Sequence, residues 1–305
     1  MKNSSFLNGS LVAIVTPFNE NGSVDFKAYE KLLVKQLEGG TNGIVVAGTT
    51  GESAALSEDE YAALIRFTVE KVNGEVPVIV GAGSNVTTRA IRHSLVAQRE
   101  GADALLILNP YYNKPTEEGI FVHYKAIAES VDLPIILYNV PGRTGSNMKA
   151  SLTLKLAREI ENVVAIKEAS GDLNQIMEII AGSPEGFKVF SGDDAMSLSI
   201  IAAGGSGCIS VVANQVPREF SRLIHAALSG DFITARALHY QLLELMNLNF
   251  IESNPIPVKT TLHMMGLIQN KFREPMVPMS NPANLSRLHD CIEKLGLLQE
   301  NSQLV

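Results

Sequence analysis

Lys167 follows an apolar run, Val163-Val164-Ala165-Ile166, and a lysine in such a place has two readings. Apolar surroundings disfavour an ammonium and favour the free amine, the form that attacks a ketone to give an imine. A lysine there can equally serve to pair with a carboxylate such as the adjacent Glu168, because structural ion pairs mimic catalytic ones. Taken by itself, the position weighs the two about equally. Three other clusters carry compatible chemistry. Thr49-Thr50-Gly51-Glu52 offers hydroxyls and, in a glycine turn, backbone N–H groups to a carboxylate. Tyr111-Tyr112-Asn113-Lys114-Pro115 presents adjacent phenols that alternate in direction. The stretch from Tyr138 to Gly145 combines a phenol able to relay protons with Arg143, whose guanidinium can grip an anion through paired hydrogen bonds. Singly, each is better read as a turn, an interface aromatic or a surface arginine.

What joins them is the pattern of elements around them. Apolar runs at 11–18, 43–48, 77–83, 104–110, 134–141, 163–170, 187–194 and 207–214 are rich in Val and Ile and nearly continuous, as strands buried on both faces are. Between them lie helical patterns such as 25–38, 57–73, 87–100 and 216–229, punctuated by Gly and Pro. Ser57 and Glu60 make a capping-box start. Eight strand–helix units predict an α/β fold, a closed (β/α)8 TIM barrel over residues 1–230. An open doubly wound sheet needs fewer strands, and its GxGxxG fingerprint is absent. Residues 231–305 show helices without strands and read as a C-terminal helical extension, not a second catalytic domain.

Barrel enzymes place their sites at the C-terminal ends of the strands. Lys167 and the three clusters all follow strands, the sixth, second, fourth and fifth. Lys188 opens the seventh run at the opposite rim, and Gly204-Gly205-Ser206-Gly207 precedes the eighth, so both read as structural. Asp193-Asp194 ends the seventh run, but adjacent carboxylates point apart and make a poor metal pair.

A formal net charge of -7 and scattered Lys and Arg leave no basic stretch to neutralise phosphates, so no nucleic-acid partner is expected. No apolar segment approaches the ~20 residues of a membrane span, and the opening MKNSSFLNGS lacks the apolar core of a signal peptide. Cys208 and Cys291 are too few for a disulfide framework or a zinc site. The six histidines show no HExxH-type spacing. The expectation is a soluble, cytoplasmic protein without a zinc site.

Five ordered motifs, GTTGE at 48–52, PYYNKP at 110–115, YNVPGRTG at 138–145, IKEASGD at 166–172 and SGDD at 191–194, resemble the dihydrodipicolinate synthase / N-acetylneuraminate lyase superfamily, and within it the 4-hydroxy-tetrahydrodipicolinate synthase family, over nearly the whole chain. The resemblance implies that Lys167 forms the Schiff base, that Tyr138 is the central proton relay, and that Thr49 links it to Tyr112 reaching in from a neighbouring subunit. It further implies Thr50 as a ligand of the pyruvate carboxylate, Arg143 as the ligand of the aldehyde substrate's carboxylate, and Ile209 as a backbone contact near the lysine. Pyruvate and L-aspartate 4-semialdehyde are the implied substrates, with no metal or organic cofactor, a homotetramer and a place in lysine and diaminopimelate biosynthesis. Sialic acid lyases resemble the rest of the pattern but lack the arginine, so Arg143 separates this reading from a sugar-acid aldolase. A silent barrel that merely senses a keto acid would not need the set Lys167, Tyr138, Thr49 and Tyr112.

Relatives inhibited by lysine resemble one another in an interface pocket with a glutamate for the effector's ammonium. The matching positions here include Ser53, Ala54, Glu58, Asn85, Arg89 and Tyr111. Arg89 reverses the charge at one wall, which implies weak or absent inhibition by L-lysine.

Overall fold

In the computed structural model residues 4–298 are described. The first three residues of the N-terminal stretch and the last seven of the extension lie outside them. Strands and helices alternate: β1 (Gly9–Ala13), α1 (Phe26–Glu38), β2 (Gly43–Val46), α2 (Glu58–Val72), β3 (Val78–Gly81), α3 (Thr87–Arg99), β4 (Ala104–Leu108) and α4 (Glu117–Ala128). The second half adds a short helix after β5: β5 (Ile135–Asn139), α5 (Pro141–Thr144), α6 (Ala150–Glu159), β6 (Val163–Glu168), α7 (Leu173–Gly182), β7 (Lys188–Ser191), α8 (Ser197–Ala202), β8 (Gly207–Ser210) and α9 (Pro217–Leu228). Three further helices follow, α10 (Phe232–Leu248), α11 (Ile256–Met264) and α12 (Pro282–Lys294).

All strand pairs are parallel, and β8 returns to β1 to close an eight-stranded barrel. Closure relies on glycine at the seam. A Cβ on Gly207 would lie 2.0 Å from the Gly9 carbonyl oxygen, so no side chain fits between the two strands. This is the structural role expected of the glycine run at 204–207. The expected first strand, 11–18, is displaced: the ladder begins at Gly9 and ends at Ala13, while Ile14–Phe18 stay buried outside it. Pro17 has no N–H to give a ladder, and the apolar run continues because Val15 and Phe18 pack beneath the helices.

Alternation within the strands separates two cores. Leu11, Val45, Ile79, Leu106, Ile136, Val164, Phe190 and Ile209 fill the barrel, and Leu7 closes it from the N-terminal side. Val12, Ile44, Val80, Ile107, Leu137 and Ile166 face the helices. The Ser57–Glu60 capping box forms as expected, with both reciprocal hydrogen bonds present at 3.0 and 3.2 Å. Glu60 has a second use, since the Arg273 guanidinium beside it holds its carboxyl down to about 2.

Helix α10 packs on α9, and α11 lies against the short turn Val212–Asn214 that leaves β8. The fully buried Lys259 of α11 donates to Glu52 at 2.5 Å, and its ammonium sits 4.4 and 4.6 Å from the ring centroids of Phe18 and Phe272. The extension is thereby fastened to the loop that follows β2.

Candidate active site

The register of the barrel brings the two central residues together. Tyr138 of β5 is the direct partner of Lys167 of β6, which in turn faces Phe190 of β7. Both side chains point into the barrel at its C-terminal end, and the Lys167 Nζ lies 4.5 Å from the centre of the Tyr138 ring. Lys167 is buried, yet among the described residues it has neither an ion pair nor a hydrogen-bonded partner.

Glu168, the alternative partner, points to the other side of the sheet. Its carboxylate accepts from Asn139 Nδ2 at 3.0 Å, the Ser170 backbone N–H at 2.7 Å and Gln175 Nε2 at 3.1 Å. Burial pushes its pKa up, and these neutral donors pull it partly back. The ion-pair reading of Lys167 is thus removed by the pleat itself: consecutive residues of a strand face opposite sides. Gly192 completes the lysine's surroundings. A Cβ there would meet the Lys167 Cε at 3.1 Å and Ala169 Cβ at 2.7 Å, so the glycine of the SGDD motif is the space the lysine stem occupies. Sequence reasoning passed over this residue, although a glycine directly after a buried strand was the available signal. Asp194, beside it, receives the backbone N–H groups of Val211 and Val212 at 3.1 and 2.8 Å and ties β7 to the exit of β8.

The turn after β2 carries Thr49 and Thr50. It is held from three directions: Thr16 Oγ1 donates to the Gly51 carbonyl at 2.7 Å, Lys259 binds Glu52, and Asn254 Nδ2 donates to Thr50 Oγ1 at 3.0 Å. Glu52 stands at φ 52°, a left-handed conformation kept for a non-glycine residue by this buried pairing. Arg143 lies in α5 at the other side of the mouth, exposed, with its Nη2 donating to the Asn254 main-chain oxygen at 3.0 Å. The segment carrying it is fixed by amides below the rim. Asn109 Nδ2 donates to the Ser146 oxygen at 3.3 Å, and Asn139 Oδ1 accepts from Met148 N at 2.9 Å. Arg143, Gly142 and the loop 250–254 line an open cleft of about 610 Å³. Ile209 is buried inside the barrel, on β8.

Within one chain the set expected to relay protons is only partly assembled. Tyr138 is buried, Thr49 is half-buried, and Tyr112 is 89 % exposed at φ 71°. Its neighbour Tyr111 is half-buried. Farther out, Ser53 and Ala54 lie in a short turn after Glu52, Glu58 opens α2, and Asn85 and Arg89 flank the start of α3. The Glu58 carboxylate is engaged by Arg92 at 2.9 Å, with His93 at 3.5 Å. Asn85 gives its carbonyl to Asn113 Nδ2 at 2.9 Å. Away from the barrel mouth, ligand atoms of His289, Asp290 and Glu293 fall within 4.8 Å of one another on the surface of α12, an arrangement common on helices without an ion. Both cysteines are free and buried. Among the described residues no helix is long and apolar enough to cross a membrane.

Comparison with known proteins places this geometry. The chain is 51% identical over 294 residues to the 4-hydroxy-tetrahydrodipicolinate synthase of Koribacter versatilis, an alignment covering 96% of this chain and 97% of the relative. Its fold superposes with a TM-score of 0.93 on the chloride-inhibited dihydrodipicolinate synthase from Acinetobacter baumannii complexed with pyruvate, at 43% identity over 95% of this chain and 99% of that one. The enzyme from Cyanidioschyzon merolae with lysine bound gives the same TM-score, 0.93, at 39% identity over 96% and 99% of the two chains. Residues 6–294 match the dihydrodipicolinate synthetase family, and the chain belongs to that family.

Proposed function

We propose that this barrel condenses pyruvate with L-aspartate 4-semialdehyde to 4-hydroxy-tetrahydrodipicolinate, the carbon–carbon bond-forming step toward diaminopimelate and lysine. The observation that carries the reading is the buried, unpaired amine of Lys167 against the Tyr138 ring. Lys167 Nζ attacks the keto carbon of pyruvate and water leaves, giving an imine. Loss of a proton from the methyl carbon gives the enamine, whose carbon adds to the aldehyde. The amino group of the second substrate then closes the ring at the imine carbon and releases the lysine. The protein supplies the electron sink from its own side chain, so no metal or organic cofactor is assigned. Tyr138 moves protons to and from the imine carbon's substituents, Thr49 links it outward, Thr50 holds the pyruvate carboxylate, and the backbone at Ile209 lines the site near the lysine. A coupled assay with both substrates and a dihydrodipicolinate reductase tests the assignment: nicotinamide oxidation that requires both substrates is expected, and none with either omitted.

We assign Tyr112 to the active site of a neighbouring subunit. A tyrosine held in the left-handed region with nearly all its surface exposed is a costly arrangement in an isolated chain, and a partner that buries the ring offsets it. A homotetramer in the cytoplasm is the assembly this reading takes.

Arg143 should separate the half-reactions. In Arg143→Ala, kcat/KM for the aldehyde falls roughly ten- to a hundredfold, the worth of a charged hydrogen bond of about 1.5–3 kcal/mol. Imine formation with pyruvate is unchanged. Equal loss in both would assign the arginine to folding or positioning.

L-Lysine is expected to inhibit weakly or not at all. A guanidinium at Arg89 repels the effector's ammonium by on the order of a few kcal/mol at short range. Glu58 does not restore the balance, because Arg92 and His93 already share its carboxylate. Titration of L-lysine into the coupled assay decides the matter, and substantial inhibition below ~1 mM would show that Arg89 does not guard the pocket.

A further inference from the structure

We infer that Asn254, in the loop between α10 and α11, is a positioning residue that turns the Thr50 hydroxyl toward the substrate carboxylate. The inference rests on the pyruvate-imine reading above and gives that site a further part. Thr50 Oγ1 accepts from Asn254 Nδ2 at 3.0 Å and has no other hydrogen-bonded partner among the described residues. With one lone pair taken, the hydroxyl proton is directed away from the amide. A carboxylate can only accept, so a hydroxyl held in this sense is a donor set for an anion before the anion arrives.

The opposite orientation of the amide is the poorer one. Asn254 Oδ1 is buried without a partner. Turned around, that oxygen would take the Thr50 proton and leave the NH2 group unpaired instead, and orphaned buried N–H groups are rarer than under-satisfied carbonyl oxygens. The same residue touches the other anion grip as well, since its main-chain oxygen receives Arg143 Nη2 at 3.0 Å. One loop residue of the extension thus contacts both groups assigned to hold carboxylates. Asn254 is 5% exposed, and the loop's successor helix is anchored by the Lys259–Glu52 pair, which makes the contact a fixed one.

The test is borohydride trapping of the pyruvate imine, read as the pyruvate concentration for half-maximal inactivation. It is run on the wild-type chain, Asn254→Ala, Asn254→Asp, Thr50→Val and the double variant Thr50→Val/Asn254→Ala. Asn254→Ala should raise that concentration roughly three- to tenfold, one neutral hydrogen bond's worth. Asn254→Asp should raise it more, on the order of a hundredfold, because a carboxylate takes the hydroxyl proton and sets a like charge beside the anion. The trapping rate at saturating pyruvate should not change in either. In the Thr50→Val background Asn254→Ala should add nothing. A loop anchor without this role would lower the saturating rate and the melting temperature and would add to Thr50→Val. Unchanged pyruvate dependence in Asn254→Ala, or full additivity, overturns the inference while leaving the imine reading intact. Absence of trapping in the wild-type chain overturns both.

Discussion

Lys167→Ala is expected to lose at least ~10⁴-fold in kcat, the scale seen when a covalent nucleophile is removed from a site whose binding groups survive, and to keep its fold. The two halves of that expectation come from the same observation. Lys167 is buried without an ion pair or hydrogen bond among the described residues, so its removal strands no opposite charge. A lysine kept for stability would be different, because taking one member from a buried pair costs about 3–5 kcal/mol. The coupled assay and a thermal melt should therefore disagree sharply: activity gone, melting temperature shifted by a few degrees at most. Borohydride with pyruvate should label the peptide containing Lys167 in the wild-type chain and no peptide in the variant. A label on another lysine, or a collapse of stability in parallel with activity, would move the Schiff base elsewhere.

The barrel and the rim were legible because each rests on period and order. Continuous Val/Ile runs at regular spacing have few solutions, and a polar residue at the end of such a run must lie at the C-terminal mouth. Lys167 and Tyr138 were legible for that reason, and their register pairing follows from adjacency of the fifth and sixth strands. Less legible was anything set by close approach. Gly192 makes room for the lysine stem, and a single glycine after a strand has too many ordinary explanations to single out. The end of β1 was overrun because apolar residues continue past the last ladder bond; burial and pairing are different properties, and only the first is visible as composition.

Asn254 shows the larger gap. It lies 204 residues from Thr50 in sequence, in a segment read as a helical extension and not as a second catalytic domain. Nothing in a one-dimensional pattern records which loop returns to the mouth of a barrel. The available signal was polarity out of place: Asn254 and Lys259 sit in NPIPVK, next to prolines and valine, where an amide and an ammonium are expensive unless partnered. Lys167 was weighed on that ground, and Lys259 merited the same question with the opposite answer.

For Lys259 the ion-pair reading holds. Lys259→Met is expected to destabilise the chain by about 3–5 kcal/mol, a large part of the ~5–15 kcal/mol that typically separates folded from unfolded domains. The variant retains an apolar stem beside Phe18 and Phe272 but leaves Glu52 buried, its Oε1 without the ammonium. The remaining donor, the Arg273 backbone N–H at 3.3 Å to Oε2, does not replace a charge. If the loss is an uncompensated carboxylate and not lost packing, neutralising that carboxylate should reverse most of it. Lys259→Met/Glu52→Gln is therefore expected to be more stable than Lys259→Met alone, a non-additivity that a simple cavity could not give. The exposed pair Lys71–Glu30, 2.6 Å apart with both side chains over 40 % exposed, provides the contrast: Lys71→Met should cost ~1 kcal/mol or less. Denaturant melts of these three variants beside the wild-type chain decide between the accounts. The pair also bears on activity, because Glu52 ends the turn that presents Thr49 and Thr50 while Lys259 follows Asn254 by five residues along the same segment. Any Lys259→Met protein that folds should need more pyruvate for half-maximal imine trapping, and the double variant should recover stability more fully than pyruvate affinity, since a neutral amide no longer draws α11 against the turn.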